Sequence, residues 1–250
     1  MVVSEHEDTH TPAELVWHDL ECGGYGADLP LWQNLATRCD GPILDVGAGS
    51  GRVTVQLARA GHTVTALDRN ELLLAALRER TAGLDVEAVC ADARSFALAR
   101  RDFALCIVPM QTIQLLGGAD GRIAFLRATR EHVRQDAAIA LAILGELDTF
   151  DCSSGAIGPA AERVAVDGLL YLSRAIRVSE TDEHVEIERE RRIVPAPGAA
   201  DRSIDLIRLD RVDVATLRDE ATEAGLRAEP ALEIAATNEH VASSVVMLRA

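Results

Sequence analysis

Apolar positions along this chain follow one rhythm up to about residue 150 and another after it. From Gly41 onward, short apolar runs alternate with stretches of helical period. "PILDV" (42–46), "HTVTALD" (62–68), "LDVEAVCAD" (84–92), "FALCIVP" (103–109) and "AAIALAIL" (137–144) read as buried strands. Between them, "GRVTVQLARAG" (51–61), "NELLLAALRERTAG" (70–83) and "GADGRIAFLRATREHVR" (118–134) place apolar residues at helical spacing. Asn70 is suited to cap the second of these helices, and Gly83 lies past its end. Buried strands alternating with helices predict a parallel sheet covered by helices on both faces.

After residue 150 the pattern becomes strand-like with no helix between. "ERVAVDGLLYLSRAIRVSE" (162–180), "EHVEIERERRIVP" (183–195) and "RSIDLIRLDRV" (202–212) predict antiparallel strands inserted after the fifth strand. Helical spacing returns in "DVATLRDEATEAGL" (213–226). "AEPALEIAA" (228–236) and "VASSVVMLRA" (241–250) then read as two closing strands. Ahead of the sheet, residues 1–11 read as disordered. Pro12–Leu20 and Leu29–Arg38 read as helices separated by the flexible "ECGGYGAD", with Pro12 and Pro30 in first helical turns.

Composition narrows the function classes. With 250 residues, 48% of them apolar, the chain can bury a full α/β core. Its formal net charge of −15 gives no overall attraction for a phosphate backbone, so a nucleic-acid partner is not expected. No apolar run approaches the roughly 18–20 residues that span a bilayer, so no membrane partner is expected. The acidic start "MVVSEHEDTHTPAEL" lacks the features of a secretory signal, which points to the cytoplasm. Cys22, Cys39, Cys90, Cys106 and Cys152 show no C-x-x-C spacing, and the seven histidines show no paired ligand pattern. No metal site or disulfide framework is expected. Cys90 and Cys106 lie in apolar runs and read as core residues.

The chemistry starts at the loop after the first strand, "GAGSG" (47–51). In an open α/β sheet, ligands bind beyond the carboxyl ends of the strands. A dinucleotide loop has the spacing G-x-G-x-x-G, but Arg52 stands where its third glycine belongs. A triphosphate loop needs a lysine after its glycines, and none is present. The pattern is D-x-G-x-G-x-G, with Asp45 two residues ahead of Gly47. Asp68 ends the second strand, about twenty residues on, where a carboxylate can accept from both hydroxyls of a ribose. Asp92 ends the third, where it can accept from an adenine amine while the Ala93 N–H meets a ring nitrogen. The ligand reads as an adenosine.

With these residues the sequence resembles the class I S-adenosylmethionine-dependent methyltransferases. The resemblance rests on "ILDVGAGSGRVTVQLARAGHTVTALD" (43–68), on "CADAR" (90–94), and on "FALCIVPMQTIQLL" (103–116) with the helix and strand after it. It implies a Rossmann-like, seven-stranded, mostly parallel sheet. It divides the chain into an N-terminal helical lid (1–40), a cofactor-binding core (41–150), an antiparallel insertion (151–211) and a return to the core (212–250). The implied cofactor is S-adenosyl-L-methionine, leaving as S-adenosyl-L-homocysteine. Gly47, Ala48 and Gly49 would run along its methionine and ribose, and Asp45 would stand near its amino group. Asp68 would hold the ribose, Arg69 would lie beside the adenine, and Asp92 and Ala93 would read it. Val108 would offer a carbonyl to the cofactor amine, and Tyr25 would reach its carboxylate end.

The implied reaction is metal-free transfer of a methyl group to a small-molecule acceptor. After the fourth strand the chain reads Val108-Pro109-Met110-Gln111, without the second proline and aromatic of enzymes that methylate a flipped base. Candidate acceptor contacts are Trp17, Met110, Gln111, Gln114, Glu146 and Asp148, with His18 the candidate base. The alternating charges of Glu188–Arg192 read as a solvated face, and Arg52 as a solvent or ion-pair residue. The inserted strands either close the pocket or pair two subunits, so monomer and homodimer both stay open. Two rival readings remain: a nicotinamide-dependent oxidoreductase, against which Arg52 counts, and a non-catalytic cofactor-binding protein of this fold.

Overall fold

The computed structural model describes residues 11–250 apart from positions 146, 156, 238 and 239. Six helices and thirteen strands follow along the described chain. The first half holds α1 (Ala13–His18), α2 (Leu29–Thr37), β1 (Ile43–Val46), α3 (Thr54–Arg59), β2 (Val64–Asp68), α4 (Glu71–Arg80), β3 (Val86–Cys90) and β4 (Phe103–Val108). Next come α5 (Gly118–His132), β5 (Val133–Leu144) and β6 (Phe150–Asp151), then β7 (Glu162–Val166), β8 (Leu169–Glu180), β9 (His184–Pro195) and β10 (Asp201–Asp210). The chain closes with α6 (Val214–Glu223), β11 (Arg227–Ala228), β12 (Leu232–Ile234) and β13 (Ser243–Arg249).

The main sheet has the order β11-β13-β5-β4-β1-β2-β3. Strands β1 to β5 pair in parallel, while β13 runs antiparallel to β5. Alternate residues of each strand serve opposite faces. Leu105 and Ile107 of β4 join Trp32, Leu35 and Leu57 from α2 and α3. Cys106 and Val108 join Phe125, Leu126, Leu217 and Ala221 from α5 and α6. Both faces are therefore apolar, and β4 is buried at every position. This is why the central strands carry unbroken apolar runs.

The Rossmann-like α/β architecture agrees with the expectation, and three details sharpen it. The sixth strand is broken into β11 and β12, which pair with β13 one register apart. Pro230 lies in the break and has no N–H to give the ladder. The stretch 162–180 is a hairpin rather than one strand: Asp167 (φ 50°) and Gly168 (φ 76°) turn between β7 and β8 with the positive φ angles a tight hairpin needs. Cys90 is exposed whereas Cys106 is buried, because β3 is the edge strand of the sheet and β4 lies at its centre.

The second sheet, order β10-β9-β8-β6 with β7 also on β8, is antiparallel throughout. One end packs on the core through Phe150, Val178, Val185 and Leu209 against Leu144 of β5. The other end receives the N-terminal helices. The Trp17 ring meets the edge of Tyr171 at 4.9 Å, with Arg191 5.6 Å above it. Glu21 is buried there and accepts from Ser173 (2.6 Å) and from Arg191 at both carboxylate oxygens (2.8 and 2.6 Å). Arg189 and Arg191 therefore point inward at Glu21, and Glu190 on the opposite face is buried as well. The solvated reading of Glu188–Arg192 is corrected for Arg189, Glu190 and Arg191, while Arg192 is exposed as that reading expects. Charge alternation looked like exposure because the partner, Glu21, lies 170 residues away.

Candidate functional site

Strand order reverses between β1 and β4, and the loops that follow these two strands meet there. This is where an open α/β sheet leaves a ligand crevice. The β1 loop turns back through Gly47 (φ 73°) and Gly49 (φ 54°), conformations that favour glycine. A Cβ at Gly47 would lie 2.4 Å from the Thr112 hydroxyl, and one at Gly49 would lie 2.4 Å from Nε2 of His18. Glycine at both positions lets Thr112, from the β4 side, and His18, from α1, come down onto the loop.

Asp45, at the end of β1, is 1% exposed. Its Oδ2 accepts from the Thr54 hydroxyl at 2.6 Å, while Oδ1 has no hydrogen-bond partner in the protein. Burial pushes its carboxyl up to about 6, against the opposing pull of Thr54 and Arg52. Asp68, at the end of β2, accepts from the Gly49 N–H (2.8 Å) and the Asn70 N–H (2.9 Å). Two lone-pair positions of this carboxylate remain beyond those bonds. Asn70 also caps α4, accepting from the N–H groups of Leu72 and Leu73, as its position predicts. Arg69 is exposed beside it.

Asp92 is exposed and held by a fork from Arg94, whose hydrogen bonds lower its carboxyl to about 2. Ala93 is half-buried next to it. Val108 is fully buried at the end of β4, and Met110, two residues on, has a positive φ of 55°. For a methionine that conformation is strained, and strain of this kind collects at functional sites. Gln111 is half-buried beside it.

The structure gives two of the expected acceptor contacts other work. Gln114 is 3% exposed; its amide donates to the Asp210 carbonyl (3.0 Å) and accepts from the Leu144 N–H (2.7 Å), joining β10 to the end of β5. Trp17 is taken up by the packing of α1 on the second sheet. Asp148 is exposed, and Glu146 lies outside the described residues.

The N-terminal helices are fastened over the β1 loop at three points. Asn70 donates to Glu14 (2.6 Å). Arg52 forms a buried two-pronged pair with Asp28 (2.6 and 2.7 Å) and donates to the Tyr25 carbonyl (2.7 Å). Arg52 is thus an ion-pair residue, one that locks α2 to the loop through Trp32, which also donates to Asp28. Tyr25 is sandwiched between Arg52 (5.3 Å) and His240 (4.8 Å). The third point is a cluster of His18, Asp19, Ser50 and Arg80. Ser50 Oγ lies 2.6 Å from Asp19 and 3.2 Å from His18 Nδ1, and Arg80 grips both oxygens of Asp19 and the Ser50 carbonyl. Burial alone would raise the Asp19 carboxyl; the nearby His18 ring and the hydrogen bonds from Arg80 and Ser50 outweigh it and hold it well below the usual range.

Sequence reasoning missed Ser50, Thr54, Thr112, Asp19 and Arg80. Ser50 and Thr54 lie within or next to the glycine loop, so the loop itself was the signal. Arg80 carried none, since it stands at the far end of α4, 61 residues from Asp19. Among the described residues, no group of three or more His, Cys, Asp or Glu side chains is arranged to hold a metal, and no helix is long and apolar enough to cross a membrane.

Residues 43–136 match the family model described as a methyltransferase domain. The cypemycin N-terminal methyltransferase of a Streptomyces species is 32% identical over 110 residues, 44% of each chain. The ribosomal RNA small subunit methyltransferase A of Deinococcus radiodurans is 43% identical over 54 residues, 22% of this chain and 18% of its own. The chain thus spans less than half the length of these curated relatives. Solved structures resemble it over nearly all its length. The amino pentose methyltransferase of Micromonospora echinaspora, with S-adenosylmethionine bound, has a TM-score of 0.69 and 17% identity, covering 98% of this chain and 99% of its own. The sugar N-methyltransferase of a Streptoalloteichus species has a TM-score of 0.71 and 14% identity, covering 100% and 98%.

Proposed function

We infer that this chain, whose residues 43–136 carry a methyltransferase domain, is a class I S-adenosylmethionine-dependent enzyme that methylates an amine on a small sugar or peptide acceptor. The observation that carries the reading is the buried carboxylate of Asp45, with Oδ1 lacking a partner, next to a loop whose glycines leave no room for a Cβ. An unpaired buried carboxylate oxygen is costly, and a ligand's ammonium group relieves it. The residues present therefore fit this cofactor: Asp45 toward the amino group, Gly47, Ala48 and Gly49 along the chain, Asp68 on the ribose, Asp92 and Ala93 at the adenine. Arg69 would flank the adenine, Val108 would offer its carbonyl, and Tyr25 would close the carboxylate end.

The cofactor supplies an activated methyl group on a sulfonium, which needs no metal to react. The chain's own residues orient it and exclude water. The lid, fastened through Arg52, Arg80 and Asn70, covers the crevice. His18, which rests on Gly49, would take a proton from the acceptor. Met110, Gln111 and Asp148 would face the acceptor from the strand ends. Support for an amine acceptor comes from two of the similar proteins, described as an N-terminal methyltransferase and a sugar N-methyltransferase.

Calorimetry with S-adenosylmethionine, S-adenosylhomocysteine and NAD tests the reading. Binding of either sulfur compound, without NAD binding, is the expected result. Heat from NAD alone would transfer the chain to the oxidoreductases. Binding of the sulfur compounds without methyl transfer to any amino sugar or peptide amine would leave a binding protein.

A further inference from the structure

The cluster beneath the lid has a proton arrangement that geometry determines. Arg80 donates to both oxygens of Asp19, which marks that carboxylate as ionised and therefore an acceptor only. Ser50 Oγ lies 2.6 Å from Asp19 Oδ1. A hydroxyl has one hydrogen, and between two oxygens at that distance it must lie on the Asp19 bond. Ser50 then meets His18 Nδ1, 3.2 Å away, with a lone pair only. Nδ1 must carry the hydrogen of that contact. In a neutral imidazole the other nitrogen, Nε2, is then bare, and Nε2 is the atom that lies against Gly49 on the floor of the crevice.

We propose that Ser50 and Asp19 are positioning residues that hold His18 in its Nδ1–H tautomer, presenting Nε2 as a proton acceptor to the methyl-transfer site. The proposal rests on the reading of that site given above. In the step it serves, the acceptor nitrogen loses its proton to Nε2 and its lone pair forms the bond to the methyl carbon. The pair of the broken sulfur–carbon bond stays on sulfur. The resulting imidazolium keeps its Nδ1–H on Ser50, with ionised Asp19 behind it. Arg80 closes the arrangement by bridging Asp19 and the Ser50 carbonyl, so a residue of α4 ties the N-terminal turn to the glycine loop.

Nitrogen NMR of the full chain, labelled in its histidines, reads the tautomer directly and needs no acceptor. At a pH where His18 is neutral, wild type is expected to show a protonated Nδ1 and a bare Nε2. Addition of S-adenosylhomocysteine should shift the Nε2 resonance. Asp19→Ala frees the Ser50 hydrogen to point at Nδ1 and should move the ring proton to Nε2, while Ser50→Thr, which keeps the hydroxyl, should retain the wild-type pattern. A wild-type spectrum with Nε2 protonated overturns the proposal without any variant. So does an Nε2 resonance that stays still while calorimetry on the same sample records S-adenosylhomocysteine binding. Failure of S-adenosylhomocysteine to bind, with the Nδ1–H tautomer in place, overturns the functional reading instead.

Discussion

Asp45 stores a pH dependence that follows from its burial. Its carboxyl is pushed up to about 6, above the ordinary aspartate value it regains on unfolding. The folded chain therefore holds the proton more tightly than the unfolded one between those values. Stability is greatest at the acid end of that window and falls as pH rises to about 6, by on the order of 2–3 kcal/mol. Asp45→Asn should remove this slope in urea titrations between pH 4 and 7. The same group predicts proton release: near pH 6, a cofactor ammonium at Oδ1 should expel the proton, seen as a buffer-dependent binding heat. At Asp68, replacement by alanine removes charge-assisted hydrogen bonds and should weaken S-adenosylhomocysteine by about 1–3 kcal/mol, or roughly 5–150-fold. Unchanged affinity would place the ribose elsewhere. Both carboxylates were legible in the sequence because each lies at or one residue before a strand end, and a strand end is a local pattern. Ser50, Asp19 and Arg80 were not, because no local pattern joins a lid residue to a loop 31 residues on and a helix end 61 residues on.

The N-terminal segment is held less by its own helices than by what they grip. Six residues of α1 and nine of α2 are too few to be stable alone, so tertiary contacts must supply the order. After α1 the backbone widens into a single π-helical turn, Asp19–Gly23, which carries both Asp19 and Glu21. One turn thus reaches the glycine loop through Arg80 and Ser50, and the second sheet through Arg189 and Arg191. The Arg52–Asp28 pair is the most deeply buried of these fastenings, and Trp32 completes the Asp28 carboxylate. Arg52→Ala leaves Asp28 as an uncompensated buried charge and should cost about 3–5 kcal/mol. Denaturant titration measures that loss, and limited proteolysis should then cut first within residues 12–40. If the lid stays as protected as in wild type, the pair does not hold it. Periodicity made the elements themselves visible. It could not reveal the break at Pro230, the Asp167–Gly168 turn or the inward aim of Arg189 and Arg191, because each depends on which strand lies alongside.

The molecule joins a mostly parallel sheet to an antiparallel one. The parallel sheet supplies the floor, through loops that leave β1, β2 and β4 where the strand order reverses. The antiparallel sheet braces the N-terminal helices, through Trp17 on Tyr171 and Glu21 on Arg191. Residues that meet at the crevice come from positions 18 to 112, so none of this arrangement exists in the unfolded chain. A ligand of the crevice must therefore bind the folded state alone, and its binding energy adds to global stability. At a free concentration one hundred times its Kd, such a ligand contributes about 2.7 kcal/mol. For a chain of this length that corresponds to a rise in Tm of roughly 5–10 °C. S-adenosylhomocysteine should produce this rise in a thermal melt, and NAD at the same concentration should not. Arg52→Ala should melt lower and, with the lid loosened, gain fewer degrees from the same ligand. Equal gains in both proteins would mean that the cofactor is held by the parallel sheet without the lid, and that the antiparallel sheet serves some purpose other than bracing it.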